Sequence, residues 1–241
     1  MNDDLEQLLK SLHLTKIAET FDEECRKAEA DGTPFRSLMA RLFRAQWHYR
    51  QEQALRWRIE TAGLPETWTL ESFPFDRQPG IDKRQIRTFA ELDFLPRAEN
   101  IVFIGPTGVG KTGLASGILL KALQNGHRGM FLRAQDLFDE MYASLADRSS
   151  RKLLNRLARI DLLVVDEMGY LNLRPEQTNM FFKLMEERYG KHPTIITTNI
   201  DYEEWPNFLG QKALVEALLS RLRHHCHTVR IDGPSLRLAQ G

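Results

Sequence analysis

Cysteine and long apolar runs are scarce in this sequence. Only Cys25 and Cys226 occur among its 241 residues, so the chain lacks the dense cysteine pattern of a small disulfide-stapled secreted protein. No stretch approaches the roughly eighteen consecutive apolar residues of a membrane-spanning helix. The opening residues, MNDDLEQLLKSLHL, lack a basic region followed by an apolar stretch, which predicts no secretory signal. These absences predict a cytoplasmic protein with reduced thiols and no membrane contact.

A net charge is lacking as well, because 33 basic residues balance 33 acidic ones. The balance hides an uneven distribution. Residues 1–35 carry nine acidic and four basic side chains, whereas residues 36–58 carry six arginines and one glutamate. A segregated basic block binds a polyanion locally even in a neutral protein. The hydrophobic content of 42% is ordinary for a globular chain, so the charge pattern, not the composition, is informative.

The apolar pattern divides the chain into three parts. Helical spacing predicts one helix over residues 1–30 and a second over 35–62. Four prolines between residues 63 and 98 predict an irregular linker with one short helix around 82–92. From residue 100 onward five short strands alternate with helices, which predicts a doubly wound parallel sheet. We therefore expect a helical N-terminal domain over 1–65, a linker over 66–98 and an α/β domain over 99–241.

A glycine-rich stretch, GPTGVGKT, fits the phosphate-binding pattern G-x-x-x-x-G-K-[ST]. An apolar strand precedes it and a helix follows, which is the context that the pattern requires. Its glycines let backbone amides approach phosphate oxygens, and the helix N-terminus adds positive potential. Lys111 is expected to contact the terminal phosphates and the Thr112 hydroxyl to ligate Mg²⁺. The alternative is a glycine turn with an incidental lysine. The predicted nucleotide-binding residues are Gly105, Pro106, Thr107, Gly108, Val109, Gly110, Lys111, Thr112 and Gly113.

Polar side chains follow two further apolar strands. Asp166 and Glu167 end the run LLVVDE, and Asn199 ends TIITTN. Ligand sites of open α/β sheets lie at the carboxyl ends of the strands. Asp166 is placed to hold Mg²⁺ through water, Glu167 to polarise an attacking water, and Asn199 to contact the γ-phosphate or that water. Thr197 and Thr198 are weaker candidates. Alternatively, these acids and this asparagine merely end buried strands.

The basic block RLFRAQWHYRQEQALRWR interleaves arginines with aromatic residues on a predicted helix. Arginine contacts phosphates largely independently of base sequence, which suits binding to duplex DNA. The alternative is an amphipathic helix that packs its aromatic side chains on a core. The predicted DNA-binding residues are Arg41, Arg44, Arg50, Arg56 and Arg58.

The segment SRLRHHCHTVRI, residues 220–231, permits three interpretations. A metal site is disfavoured because its histidines and cysteine are consecutive, whereas zinc ligands usually come in spaced pairs. The part CHTVRI predicts a last strand with Cys226 and Val229 buried, and with Ile231 as a further candidate for burial. Arg221 and Arg223 end the preceding helix, where cations are favourable. The phosphate-binding loop allows a second role for Arg221, as an arginine finger supplied to a neighbouring copy.

Four segments together resemble the IstB family of ATP-binding helper proteins of insertion-sequence transposition, a branch of the AAA+ superfamily related to DnaC-type helicase loaders. They are NIVFIGPTGVGKT, DLLVVDEMGYL, TIITTN and RLRHHCHTVRIDGPSLR, and the resemblance covers about residues 36–238. It implies a P-loop AAA+ ATPase core, with a central parallel five-stranded sheet flanked by helices, after a small all-helical N-terminal domain. A full C-terminal helical lid is not expected, since about ten residues follow Ile231.

The resemblance also implies an activity. Such proteins bind ATP with Mg²⁺, assemble on duplex DNA, hydrolyse ATP slowly and stimulate a partner transposase. By position, residues 105–112 would be the Walker A loop, Asp166 and Glu167 the Walker B pair, and Asn199 the first sensor. Arg221 would be the arginine finger in trans, with Arg223 as the second candidate, and Arg237 could replace the second sensor arginine. Two alternatives stay open, a replicative helicase loader and a small-molecule kinase that would need no Arg221.

Overall fold

The structure is a computed structural model and describes residues 3–65, 68–169, 171–210 and 212–237. Those residues form two compact units, one ending at Trp57 and one beginning at Arg58. Parts of some predicted segments lie outside the described residues, namely residues 1–2 of the first helix, 66–67 of the linker, Tyr170 of a quoted motif, Gln211 at a predicted helix start, and 238–241. Within the described part of the chain, no helix is long and apolar enough to cross a membrane.

The N-terminal unit consists of helices α1 (Asp3–Ser11), α2 (Thr15–Ala30) and the part of α3 (Phe35–Thr61) up to Trp57. The prediction of a single helix over residues 1–30 is wrong, because the helix is interrupted at His13, whose φ is 55°. The backbone amides of Lys16 and Ile17 instead donate to Gln46 Oε1 of α3, at 2.9 and 3.2 Å. These amides begin α2 and have no partner within the helix. A side chain distant in sequence therefore fixes where α2 starts.

The second unit contains a five-stranded parallel sheet in the order β2-β3-β4-β1-β5. The strands are β1 (Asn100–Ile104), β2 (Gly129–Arg133), β3 (Leu162–Met168), β4 (Thr194–Thr198) and β5 (Cys226–Arg230). The helices of this unit are α4 (Lys83–Ala90), α5 (Lys111–Gln124), α6 (Ala134–Ala146), α7 (Ser150–Ala158), α8 (Pro175–Arg188), α9 (Trp205–Leu209) and α10 (Lys212–His224). The predicted sheet with flanking helices is confirmed, and α9 is the helix that the sequence pattern did not reveal.

The strands form where the sequence is continuously apolar. Every residue of β1 and β4 is buried, as expected for central strands covered on both faces. At the edge strand β5, Val229 and the following Ile231 are buried as predicted, whereas Cys226 is only half-buried. Because all five strands run in the same direction, the residues that follow β1, β3 and β4 meet at one edge of the sheet.

The segment between α3 and β1 packs closely on the sheet domain. A Cβ atom added at Gly113 or Gly117 of α5 would lie 3.3 Å from Trp68 or 2.8 Å from Leu70. The side chain of Gln78 is fully buried, and its Nε2 donates to the carbonyl oxygens of Val109 and Pro234. As expected, the linker is irregular, and α4 is its one α-helix in the described part. Residues of its first half pack against the phosphate-binding loop.

Candidate nucleotide-binding site

The glycine-rich loop connects β1 to α5 and is held from two sides. Gly108 and Gly110 have φ values of 87° and 99°, a region that residues with a Cβ rarely occupy. A Cβ at Gly108 would come within 2.2 Å of Ser235 Oγ, and one at Gly110 within 2.7 Å of the Phe73 ring. The backbone amide of Leu236 also donates to Gly108 O at 2.8 Å. The loop therefore has the conformation and the close packing that require glycine.

Lys111 is the first residue of α5 and lies inside the loop. Its Nζ donates to the carbonyl oxygens of Gly105 and Pro106 at 2.6 and 2.7 Å. Burial lowers the pKa of Lys111, whereas the carboxylates of Asp166 and Glu167 oppose this change. The ammonium group is therefore a partly desolvated cation, which interacts strongly with an anion such as a phosphate.

Asp166 lies in the interior, where it is only 3% exposed. Its carboxylate accepts from Thr112 Oγ1 at 3.0 and 3.1 Å and from Thr197 Oγ1 at 2.5 Å. Burial raises the pKa of Asp166, and the hydrogen bonds from Thr197 and Thr112 counteract this effect. Thr112 and Asp166, predicted as metal ligands from separate motifs, are thus in direct contact.

Glu167 and Asn199 lie at the same edge of the sheet. Glu167 is exposed and has a φ of 60°, in the left-handed region that residues with a Cβ rarely occupy. Asn199 follows β4, and its Oδ1 would lie 2.9 Å from a Cβ added at Gly169. Both side chains line a pocket of about 490 Å³ together with Lys111, Thr112 and Asp166. The structure thus brings these five predicted residues to one site.

Other residues of this pocket were not anticipated from the sequence. They are Pro65, Trp68, Arg133, Gly169 and Leu236. Arg133 ends β2 directly beside Asp166 in the strand register, so the rule that located Asp166 at a strand end would also have found it. Pro65, Trp68 and Leu236 come from segments without a strand pattern, and no local signal points to them. Arg237, a predicted nucleotide contact, does line the pocket, and its charge lowers the pKa of Lys111.

Arg221 and Arg223 lie at the opposite end of the sheet. They are in the last turn of α10, immediately before the amino end of β5, whereas the glycine loop follows the carboxyl end of β1. The two ends of a five-residue strand are about 13 Å apart. Arg221 Nη2 lies 3.6 Å from Glu186 Oε1, and the Arg223 guanidinium lies 5.3 Å from the centre of the Tyr202 ring. Neither arginine lines the nucleotide pocket of its own chain.

The five predicted DNA-binding arginines lie on α3 in different environments. Arg41 pairs with Glu24 at 3.2 Å, Arg50 donates to the carbonyl oxygens of Leu12 and His13 at 3.5 and 3.3 Å, and Arg58 donates to Leu123 O at 2.9 Å. Arg44 and Arg56 are exposed and have no hydrogen bond or ion pair with any described residue. Phe43, Trp47 and Trp57 are more than half exposed.

The pocket fits a nucleotide with Mg²⁺. A hydroxyl and a carboxylate, oxygen ligands of the kind that Mg²⁺ prefers, converge at Thr112 and Asp166. Lys111 and the amino end of α5 supply the positive potential that phosphates need. The pocket volume lies within the range of small-molecule sites.

A phosphate-binding loop after the first strand, acids on β3 beside it and a sheet ordered β2-β3-β4-β1-β5 define a P-loop nucleotide-binding protein of the AAA+ type. Solved structures share this architecture. The DnaC helicase loader is 25% identical with a TM-score of 0.54, over 62% of this chain and 88% of that chain. For the fold alone, DnaA of Aquifex aeolicus bound to AMPPCP is similar, with a TM-score of 0.59 and 20% identity over 70% of this chain and 51% of that chain.

The chain belongs to the family of IstB-like ATP binding proteins, whose model matches residues 7–241. A protein of Pseudomonas aeruginosa, named for ATP binding in insertion sequence IS21, is 35% identical over 96% of this chain and 86% of its own length. A protein of Geobacillus stearothermophilus, named likewise for insertion sequence IS5376, is 32% identical over 100% of this chain and 96% of its own length. The expected family is therefore confirmed.

Proposed function

We propose that this protein is an ATP-hydrolysing helper of DNA transposition that assembles on duplex DNA and stimulates a partner transposase. The observation that carries the proposal is the convergence of Lys111, Thr112, Asp166, Glu167 and Asn199 at one pocket. Family membership and relatives named for insertion sequences supply the biological setting.

In phosphoryl transfer, different residues of this chain hold the metal ion and bind the phosphates. Mg²⁺, when bound, neutralises charge on the β- and γ-phosphate oxygens. Thr112 and, through water, Asp166 would hold this ion. Lys111 releases its contacts with the loop carbonyls of Gly105 and Pro106 and places its ammonium group on the terminal phosphates. Amides of residues 105–113 cradle the phosphate chain.

Glu167 and Asn199 act on the attacking water. The Glu167 carboxylate accepts a proton from the water, whose oxygen forms a bond to the γ-phosphorus while the bond to the ADP oxygen breaks. Asn199 donates a hydrogen bond to the γ-phosphate. Arg237 adds a further cation to the lining of the pocket. A second carboxylate directly after the metal ligand favours hydrolysis over transfer to a small-molecule acceptor.

The proposal includes assembly, and what supports it is that Arg221 does not line the nucleotide pocket of its own chain. Arg221 lies at the amino end of β5, and its own phosphate loop is at the other end of the sheet. Arg221, or Arg223 as the alternative, therefore acts on the γ-phosphate bound by a neighbouring copy. Exposed arginines on α3 bind the DNA backbone.

ATP turnover measured without DNA, with duplex DNA and with single-stranded DNA tests this function. We expect slow turnover that duplex DNA changes more than single-stranded DNA does. A preference for single strands would favour the second candidate, a helicase loader, which the 25% identity to the DnaC helicase loader supports. Turnover that no DNA affects, combined with phosphorylation of a small molecule, would contradict both candidates.

A further inference from the structure

Strand β3 contains a bulge at its two acids. Val165 pairs with Ile196, but the next aligned pair is Met168 with Thr198. Asp166 and Glu167 therefore lie opposite the single residue Thr197. An extra residue in one strand bends it and redirects a side chain. Here the extra residue is Glu167, in the left-handed region at a φ of 60°.

The hydroxyl of Thr197 connects the two acids across this bulge. It accepts a hydrogen bond from the backbone amide of Glu167 at 2.9 Å and donates one to Asp166 Oδ1 at 2.5 Å. Thr197 is fully buried, so both contacts lie away from the protein surface. A left-handed conformation at a glutamate persists only where its surroundings hold it. On the β4 side, the hydrogen bond from the Glu167 backbone amide to Thr197 Oγ1 holds this conformation.

We propose that Thr197 is a positioning residue, which holds the bulge of β3 so that the Glu167 carboxylate points to the attacking water. This inference deepens the proposed function and rests on it. Thr197 also lines the nucleotide pocket, and in this proposal it acts through its hydrogen bonds to Asp166 and Glu167. Thr198 does not share the role, because its hydroxyl bonds to the backbone of Ile200.

Amide hydrogen exchange at Glu167, measured by NMR in the protein without nucleotide, tests the anchor directly. Thr197→Val keeps the branched shape but removes the hydroxyl, so we expect the Glu167 amide to lose protection. Thr197→Ser keeps the hydroxyl and should keep the protection. Protection unchanged in Thr197→Val would overturn the proposal.

Steady-state kinetics test the consequence. Thr197→Val should lower kcat for ATP hydrolysis by about 10- to 100-fold, since small displacements of a catalytic group have effects of this size. Nucleotide affinity without Mg²⁺ should stay within about twofold, and Thr197→Ser should restore most of kcat. In a Glu167→Gln background the Thr197→Val change should have no further effect, because residues that act as a unit are non-additive. An unchanged kcat, or fully additive losses, would overturn the role.

Thr194→Val is the matched control. Thr194 is also buried on β4, and its hydroxyl accepts from Arg188 Nε at 3.0 Å, but it lies at the opposite end of the strand from the site. We expect reduced stability with Glu167 protection and kcat unchanged; an equal kcat loss would mean that Thr197→Val acts through stability alone. If the wild-type protein does not hydrolyse ATP, the proposed function is contradicted. The amide exchange experiment would then still show whether Thr197 holds the Glu167 amide.

Discussion

At the scale of single residues, some side chains of the site can be identified from a sequence pattern and others cannot. Lys111 and Thr112 belong to a fixed local pattern, because adjacent positions of one loop and one helix start must contact the same phosphate chain. Asp166 and Asn199 follow from the rule that parallel strands end at one edge. Arg133 obeys the same rule but was missed, since an arginine at a strand end is usually a solvated charge.

The clearest residue-scale prediction concerns Glu167. Glu167→Gln should reduce ATP turnover about 100-fold or more, because the amide cannot accept the proton of the attacking water. Nucleotide binding should persist, so an ATP-bound and DNA-bound assembly should accumulate. Turnover assays, paired with nucleotide retention on DNA after gel filtration, measure both effects.

A control and a contrary outcome complete the Glu167 experiment. Glu176→Gln removes an exposed acid from the first turn of α8, outside the pocket, and should leave turnover unchanged. Rapid hydrolysis by Glu167→Gln would show that another group activates the water.

At the scale of elements, α3 illustrates the limits of helical periodicity. The pattern located the helix to within one residue of its end, but it assigned all five arginines to DNA. In the structure Arg41, Arg50 and Arg58 each contact another part of the protein. Arg50 donates to the carbonyl oxygens of Leu12 and His13, just after α1. Arg58 donates to Leu123 O in the last turn of α5, where helix carbonyls lack partners within the helix. Spacing along one helix cannot reveal such contacts, since the partners come from other elements.

Arg44 and Arg56 are therefore the residues to test for DNA binding. The double change Arg44→Ala and Arg56→Ala should weaken duplex binding and decrease the slope of log affinity against log salt by about 2, one for each lost phosphate contact. Binding isotherms at several salt concentrations give this slope, and nucleotide affinity should not change.

Arg151→Ala provides the matched control for α3. Arg151 is an exposed arginine of α7 with no hydrogen bond or ion pair to any described residue. An equal decrease of the slope in this variant would indicate diffuse electrostatics, and an unchanged slope in the α3 variant would remove α3 from the DNA interface.

At the scale of the whole molecule, the position of Arg221 leads to a test of assembly. Lys111→Ala removes the proposed phosphate contact, and Arg221→Ala removes the proposed finger, so each variant alone should be inactive. In an equal mixture about one quarter of head-to-tail interfaces combine an intact loop with an intact arginine. ATP turnover of the mixture should therefore recover to a fraction of the wild-type rate.

The double variant Lys111→Ala/Arg221→Ala is the control for this mixture. Mixed with either single variant, it cannot form a site that has both groups, so no activity should return. If the two single variants also fail to complement, while Arg223→Ala and Lys111→Ala do, then Arg223 is the finger.

The sequence by itself determined the class of fold and the loop that binds phosphate. Apolar strand runs, helix spacing and the glycine pattern are properties of short segments, and they do not depend on how those segments pack together. The tertiary structure decided what local patterns do not contain. Gln46 sets the start of α2, Trp68 and Leu236 enclose the loop, and Thr197 faces the bulge that redirects Glu167. Each of these depends on contacts between segments far apart in the chain, which only the packed fold brings within hydrogen-bonding distance.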